Sequence, residues 1–191
     1  LGLSLFFCKD CDAFRVQGKR IVILGHNNEA ADYALAMLLF SASVLIATND
    51  HTLTWDSDHG AWLEEYRIAI RRERIAEVEH ADGHLRALTF GAGVRLEADA
   101  AFATRGDVTH TELLTGLGAE LDTEGQVVVD ACLRTTVPGL YAAGCVTPAN
   151  CQMIIAAGQG ATAAQSINRD LFDESLRRHA LPRFGQVREG T

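Results

Sequence analysis

The chain has 191 residues, 48% of them hydrophobic and 22% charged, with a formal net charge of −8. That is enough apolar material for one good core or two small ones, and the acidic balance argues against a nucleic-acid partner or a polybasic membrane surface. The longest apolar stretch, residues 34–47, contains Ser41 and Ser43 and falls short of the roughly 18 residues of a membrane span.

A soluble, cytoplasmic protein that does not engage a membrane is therefore expected. The chain opens at Leu1 in an apolar run with no starting Met and no basic leader, which reads as a fragment rather than a signal peptide. The five cysteines are Cys8, Cys11, Cys132, Cys145 and Cys151. Only the first two have a diagnostic spacing, and an odd total argues against a secreted disulfide scaffold. One reactive pair in a reducing compartment is the simpler account. Structural zinc would need two more close ligands that the spacing does not supply, so no metal is expected.

Cys8-Lys9-Asp10-Cys11-Asp12 comes first. Two intervening residues let both sulfurs meet at the start of a helix, where the helix end and Lys9 favour a thiolate. One sulfur can attack a substrate disulfide and the other resolve the mixed disulfide; spacing does not say which. Asp12 is a candidate acid for protonating a leaving thiolate.

After a short polar connection, Arg20 to Ile46 reads as strand, helix, strand: an apolar run closed by Gly25, an alanine- and leucine-rich segment to Phe40, and Val44-Leu-Ile46. This pattern implies a parallel sheet with a nucleotide site at the end of its first strand. The turn reads Gly25-His26-Asn27-Asn28-Glu29-Ala30. Gly25 can make the tight turn and Ala30 lets the helix lie close. Asn27, however, stands where a missing side chain would admit a pyrophosphate. At the end of the second strand, Ala47-Thr48-Asn49-Asp50 offers no arginine for NADPH, and Asp50 reaches a ribose only if the turn is shifted. NADPH or NADH is thus weakly supported.

A helix is expected within residues 56–70, with Trp62, Leu63, Tyr66 and Ile70 close to one face. The arginines from Arg67 to Arg74, interleaved with glutamates, read as a solvated ion-pair surface. Residues 75–103 read as hairpins, with turns at Asp82-Gly83 and Gly91-Ala92-Gly93 and a strand at residues 98–103 that leaves the hairpin layer. A short helix at residues 111–117 and a hairpin around Glu124-Gly125 follow. Leu140 to Gly144 reads as a strand ending in glycine. Gln152 to Ile167, with Ala156, Ala157, Gly158, Gly160 and Ala161, is a helix of little side-chain volume, suited to a close backbone or a flat cofactor. From Asp170 a charged tail is expected, with Pro182 and Gly185 ending regular structure.

Together, Cys8-Lys-Asp-Cys11-Asp12, the segment Gly18 to Ala30, and Thr136-Val-Pro-Gly-Leu-Tyr-Ala-Ala-Gly144 with Gln152 and Ala156-Ala-Gly-Gln-Gly160 resemble the low-molecular-weight thioredoxin reductase group of pyridine nucleotide-disulfide oxidoreductases. The resemblance implies an α/β fold: a Rossmann-like nucleotide-binding domain with a parallel central sheet and a hairpin layer, followed by the C-terminal part of an FAD-binding domain. The expected divisions are a redox-pair segment at 1–12, an NAD(P)-binding-like domain at 13–106, the returning FAD-domain portion at 107–170 and a tail at 171–191. The first half of the FAD domain would lie before Leu1.

The resemblance further implies FAD, a thioredoxin-like protein or a small disulfide or dithiol as partner, and a homodimer when full length. Mapped residue by residue, it places Cys8, Cys11 and Asp12 in catalysis. It places Gly25, Asn27, Asn28, Glu29 and Ala30 at the nicotinamide cofactor, and Gly144, Cys145, Gln152, Met153 and Ala156 at the flavin. Cys145 stands where the family has an aspartate. These departures leave two alternatives beside a disulfide reductase: a dithiol oxidase using flavin and oxygen, and a non-enzymatic interaction or sensor protein.

Overall fold

The computed structural model describes residues 2–104, 106, 108–181 and 183. Its strands are β1 (Leu5–Phe6), β2 (Ile21–Leu24), β3 (Val44–Ala47), β4 (Ala69–Arg71), β5 (Ile75–Ala81), β6 (His84–Phe90), β7 (Arg95–Glu97) and β8 (Ala100–Ala103). Its helices are α1 (Lys9–Asp12), α2 (Asn28–Met37), α3 (Ser57–Glu65), α4 (Glu112–Gly116) and α5 (Met153–Arg177). Two units form separately, one spanning residues 1–106 and the other residues 107–191.

The first unit is three layers deep, and alternation along its strands explains why. A five-stranded sheet runs β1-β8-β2-β3-β4 with every neighbouring pair parallel. Successive side chains of a strand point to opposite faces. On β2, Ile21 and Ile23 join Ala30, Ala34 and Met37 of α2, Leu63 of α3 and Phe102 of β8. Val22 instead joins Leu85, Leu88 and Phe90 of the antiparallel layer β5-β6-β7, with Leu24 packed against that cluster. Ile23, Ile46 and Phe102 are wholly buried, each worth about 2 kcal/mol on the usual area scale.

The hairpin turn falls at Asp82 and Gly83, both at positive φ, which suits the twist of a two-residue connection. Residues 100–103 do leave the hairpin layer; as β8 they pair with β2 on one side and β1 on the other. The helix expected within 56–70 is shorter, Ser57–Glu65, and Ile70 belongs to β4. Of its expected core face only Leu63 is fully buried, while Trp62 and Tyr66 are exposed.

In the second unit, Val127, Ala119 and Ala142 form a small core with Leu114, Val129, Val137, Leu140 and Val146 against it. Leu121 bridges Val127 across the expected hairpin, and Arg134 bridges Tyr141. Helix α5 does not give way to a tail at Asp170 but continues to Arg177. The Asp170 carboxylate takes two bonds of 2.7 Å from Arg134 and accepts a third from the Tyr141 hydroxyl. Glu174 pairs with Arg177 and Arg178 at helical spacing, a pattern that supports a helix rather than a loose charged segment. Pro182 and Gly185 lie outside the described residues.

Candidate functional site

Cys8 and Cys11 form a disulfide whose Cα atoms are 5.3 Å apart. The chain supplies this geometry locally: Cys8 caps α1, and the Cys11 backbone N–H donates to the Cys8 sulfur at 3.1 Å. Such a donor favours charge on that sulfur once the bond opens. Cys8 is half-buried and Cys11 exposed. The Tyr33 hydroxyl of α2 donates to the Phe7 carbonyl, and the Lys9 ammonium lies 5.7 Å from the Tyr33 ring centre, fixing the approach to the pair. Asp12 accepts from Arg15 at 2.7 Å, and Arg15 also donates to the Gly2 carbonyl. An acid role for Asp12 would require release from that arginine.

The nucleotide-like cleft lies at the ends of β2 and β3. It is a cavity of about 270 Å³ lined by Gly25, His26, Ala47, Thr48, Asn49 and His51 among others. Gly25 owes its identity to crowding: a side-chain carbon there would sit 2.1 Å from Thr104 Oγ1 and 2.7 Å from the Ala30 methyl. Ala30, in the first turn of α2, is wholly buried. Asn27 caps α2 itself, its side-chain Oδ1 accepting the Ala30 N–H at 3.2 Å. That N–H is one of the amides a pyrophosphate would use at a helix start.

Asn28 is engaged as well. It donates to Asp56 and accepts the Asp56 N–H, both at 2.9 Å, which brings a carboxylate to the same helix end. Asp56 in turn caps α3 through the His59 N–H and bonds the His59 ring at 2.7 Å; the far ring nitrogen meets Asp32 at 3.2 Å. These contacts hold the Asp56 carboxyl down at about 2 and raise the His59 imidazole above its ordinary value. A dinucleotide therefore does not fit this turn as it stands: one amide is taken by Asn27 and a carboxylate stands beside it.

The second strand end is likewise committed to structure. Thr48 is buried with its hydroxyl on the Arg72 carbonyl, Asn49 accepts the Ile75 N–H at 2.9 Å, and Asp50 is exposed at positive φ. His26 and His51 stack with ring centres 4.9 Å apart. Neither this stack nor the Asn28–Asp56–His59–Asp32 chain was legible from spacing, since each joins residues more than 20 positions apart.

In the second unit, Gly144 has φ +84°, and its N–H donates to Gln159 Oε1 at 2.7 Å. Gln152 precedes α5, whose first-turn amides point out of its N-terminal end. Met153 and Ile154 are 87% and 76% exposed, and Ala156 lies 3.7 Å from where a Gly144 side chain would be. An apolar, amide-bearing helix end beside a glycine turn fits the edge of a flat, anionic cofactor such as FAD. Cys145 corrects the sequence expectation of a single pair: it is bonded to Cys151, Cα atoms 4.9 Å apart. The six-residue separation carries no signature; only the folded loop brings the two together.

The profile of the pyridine nucleotide-disulphide oxidoreductase family matches residues 2–164. The F component of alkyl hydroperoxide reductase in Pseudomonas aeruginosa is 28% identical over 194 residues, covering 91% of this chain and 34% of that protein. The thioredoxin reductase of Treponema pallidum is 29% identical over 173 residues, covering 87% of this chain and 56% of that protein. Among solved structures, a putative thioredoxin reductase TrxB from Bacillus anthracis aligns with a TM-score of 0.79 and 30% identity over 91% of this chain and 58% of that one. The chain thus spans between a third and somewhat over half of these relatives.

Proposed function

Since this chain belongs to the pyridine nucleotide-disulphide oxidoreductase family, we propose that it carries the thiol–disulfide centre of a flavin-linked oxidoreductase, with Cys8 and Cys11 exchanging two electrons with an external disulfide or dithiol. The observation that carries this reading is the Cys8–Cys11 disulfide at the start of α1, with the Cys11 amide on the Cys8 sulfur.

In the reduced form the Cys8 thiolate, held by that amide, attacks one sulfur of the substrate disulfide and expels the other as a thiolate. The Cys11 thiol, after losing its proton, then attacks the Cys8 sulfur, releases the second substrate thiolate and restores the protein disulfide. Two electrons leave the protein, and the two protons of the dithiol end on the substrate sulfurs. Asp12, freed from Arg15, would carry one of these protons.

FAD, when bound, supplies or accepts the electron pair. Gly144, Cys145, Gln152, Met153 and Ala156 would line its edge, with the exposed start of α5 supporting that assignment. The nicotinamide side falls to Gly25, Asn27, Asn28, Glu29 and Ala30, and would admit a dinucleotide only once the Asn27 cap and the Asp56 carboxylate leave the turn. A thioredoxin-like protein or a small disulfide or dithiol is the partner, the full-length protein is a homodimer, and the setting is cytoplasmic. Separately, no helix among the described residues is long and apolar enough to cross a membrane.

A second reading is favoured by one observation, the Asn27 cap on Ala30 with Asp56 beside it. A cleft so occupied suits a protein fed by dithiols, in which the exchange runs toward disulfide formation and the electrons leave to oxygen. Anaerobic rapid mixing of the flavin-loaded full-length protein separates the readings. Bleaching of the flavin by NADPH or NADH supports the reductase, and bleaching by dithiols alone supports the oxidase. Failure of both donors to bleach it overturns the proposal.

A further inference from the structure

We propose that Cys145 and Cys151 form a second thiol–disulfide exchange site, opened by small thiols or dithiols, at the head of α5. The proposal stands on the second unit alone and does not depend on the role given to Cys8 and Cys11.

Three features of the loop distinguish this bond from a structural staple. Both cysteines are exposed, so an external thiolate can reach the bond. The bond closes a ring with a separation of only six residues, where restriction of the unfolded chain contributes least. The loop is also held without it. Thr147 is wholly buried; its N–H and hydroxyl both donate to the Gly144 carbonyl, at 2.9 and 2.8 Å. Gln159 of α5 grips the same turn, donating to Thr147 Oγ1 at 3.1 Å and accepting the Gly144 N–H at 2.7 Å. Opening the bond therefore leaves the loop's polar anchor in place.

The two sulfurs are not equivalent. Cys151 stands one residue before Gln152, the cap of a 25-residue helix, whereas Cys145 sits at the far side of the loop. The positive end of α5 favours a thiolate on Cys151, and the more stable thiolate is the better leaving group. A small thiolate thus attacks the Cys145 sulfur, forms a mixed disulfide there and breaks the bond to Cys151, which departs as a thiolate. A second thiol, after losing its proton, attacks the mixed disulfide and releases the external disulfide. Two electrons pass from the external thiols to the protein, and their two protons end on Cys145 and Cys151. Run backwards with an external disulfide as oxidant, the same steps close the pair.

The test is differential alkylation of the full chain in glutathione and dithiothreitol redox buffers. Trypsin releases residues 135–169 as one peptide that holds Cys145 and Cys151 and none of the other cysteines. In wild type and in Cys8→Ser/Cys11→Ser alike, that peptide is expected to pass from closed to doubly alkylated in a single two-electron step while the chain stays folded. In the reduced protein at neutral pH, Cys151 should alkylate before Cys145. Resistance of the pair to excess dithiothreitol until the chain unfolds would overturn the proposal, as would two free thiols in oxidised glutathione. Cys145→Ser/Cys151→Ser gives an independent check. Its melting temperature should fall by less than about 5 °C, and any larger loss would make the bond a structural staple instead.

Discussion

Asn27→Gly tests how far the nucleotide cleft is closed by its own side chain. The substitution removes the carbonyl oxygen that accepts the Ala30 N–H at 3.2 Å. Glycine is itself a tolerable helix cap, so the fold should lose only a few tenths of a kcal/mol. The released amide can then meet a pyrophosphate oxygen, and a hydrogen bond to a charged acceptor is worth roughly 1.5–3 kcal/mol. NADH or NADPH should bind roughly 10- to 160-fold more tightly than to the wild type. Asn27→Asp, which keeps a capping oxygen and adds a negative charge, should bind more weakly than either. Titration calorimetry with each dinucleotide, alongside a melting curve for each variant, measures this directly. Equal affinities in wild type and Asn27→Gly, with both proteins folded, would refute the reasoning.

Gly25→Ala should destabilise the first unit by about 3 kcal/mol in urea unfolding, because the new methyl falls 2.1 Å from Thr104 Oγ1 and 2.7 Å from Ala30 Cβ. Thr104→Ala should rescue only part of that loss, and full rescue would show that Ala30 yields freely. Cys8→Ser and Cys11→Ser should each abolish disulfide turnover while leaving the fold and flavin spectrum of the full-length protein unchanged; turnover retained in either variant removes the pair from the chemistry. The Asp56–His59–Asp32 link predicts a pH window for the contact between α2 and α3. Asp56 is lowered from 3.8 to about 2, so its contribution is present above 3.8 and lost as pH falls toward 2. His59 is raised from 6.5, so its contribution is full below 6.5 and lost as pH rises through its higher folded value. Protection factors of the α3 amides, with the intrinsic base-catalysed rate divided out, should be highest between these limits, and His59→Gln should remove the alkaline loss; the same alkaline fall in protection in the variant would assign it elsewhere.

The sequence by itself determined the features that are local or periodic. The apolar runs at residues 21–24 and 44–46 flanking α2 fixed a parallel sheet, Asp82-Gly83 fixed a hairpin, and the Cys8–Cys11 spacing fixed a disulfide within one helical turn. Helix 153–177 was legible at its small-residue start. Its charged end was not, because what holds it there is Arg134, 36 positions away from Asp170.

Only the tertiary structure decided what depends on distant partners. Whether Asn27 merely fills space or caps Ala30 depends on the turn's backbone, and Asp56 reaches Asn28 only once α2 and α3 lie side by side. Gly25 looked like a turn residue, yet Thr104, 79 positions later and just past the end of β8, supplies the atoms that forbid a side chain there. Cys145 looked like a substituted flavin contact, and the fold of one loop made it half of a disulfide. The physical reason is common to all of these: strand and helix periodicity is written within a few residues. A cap, a clash or a bond across a loop is set instead by where the chain returns.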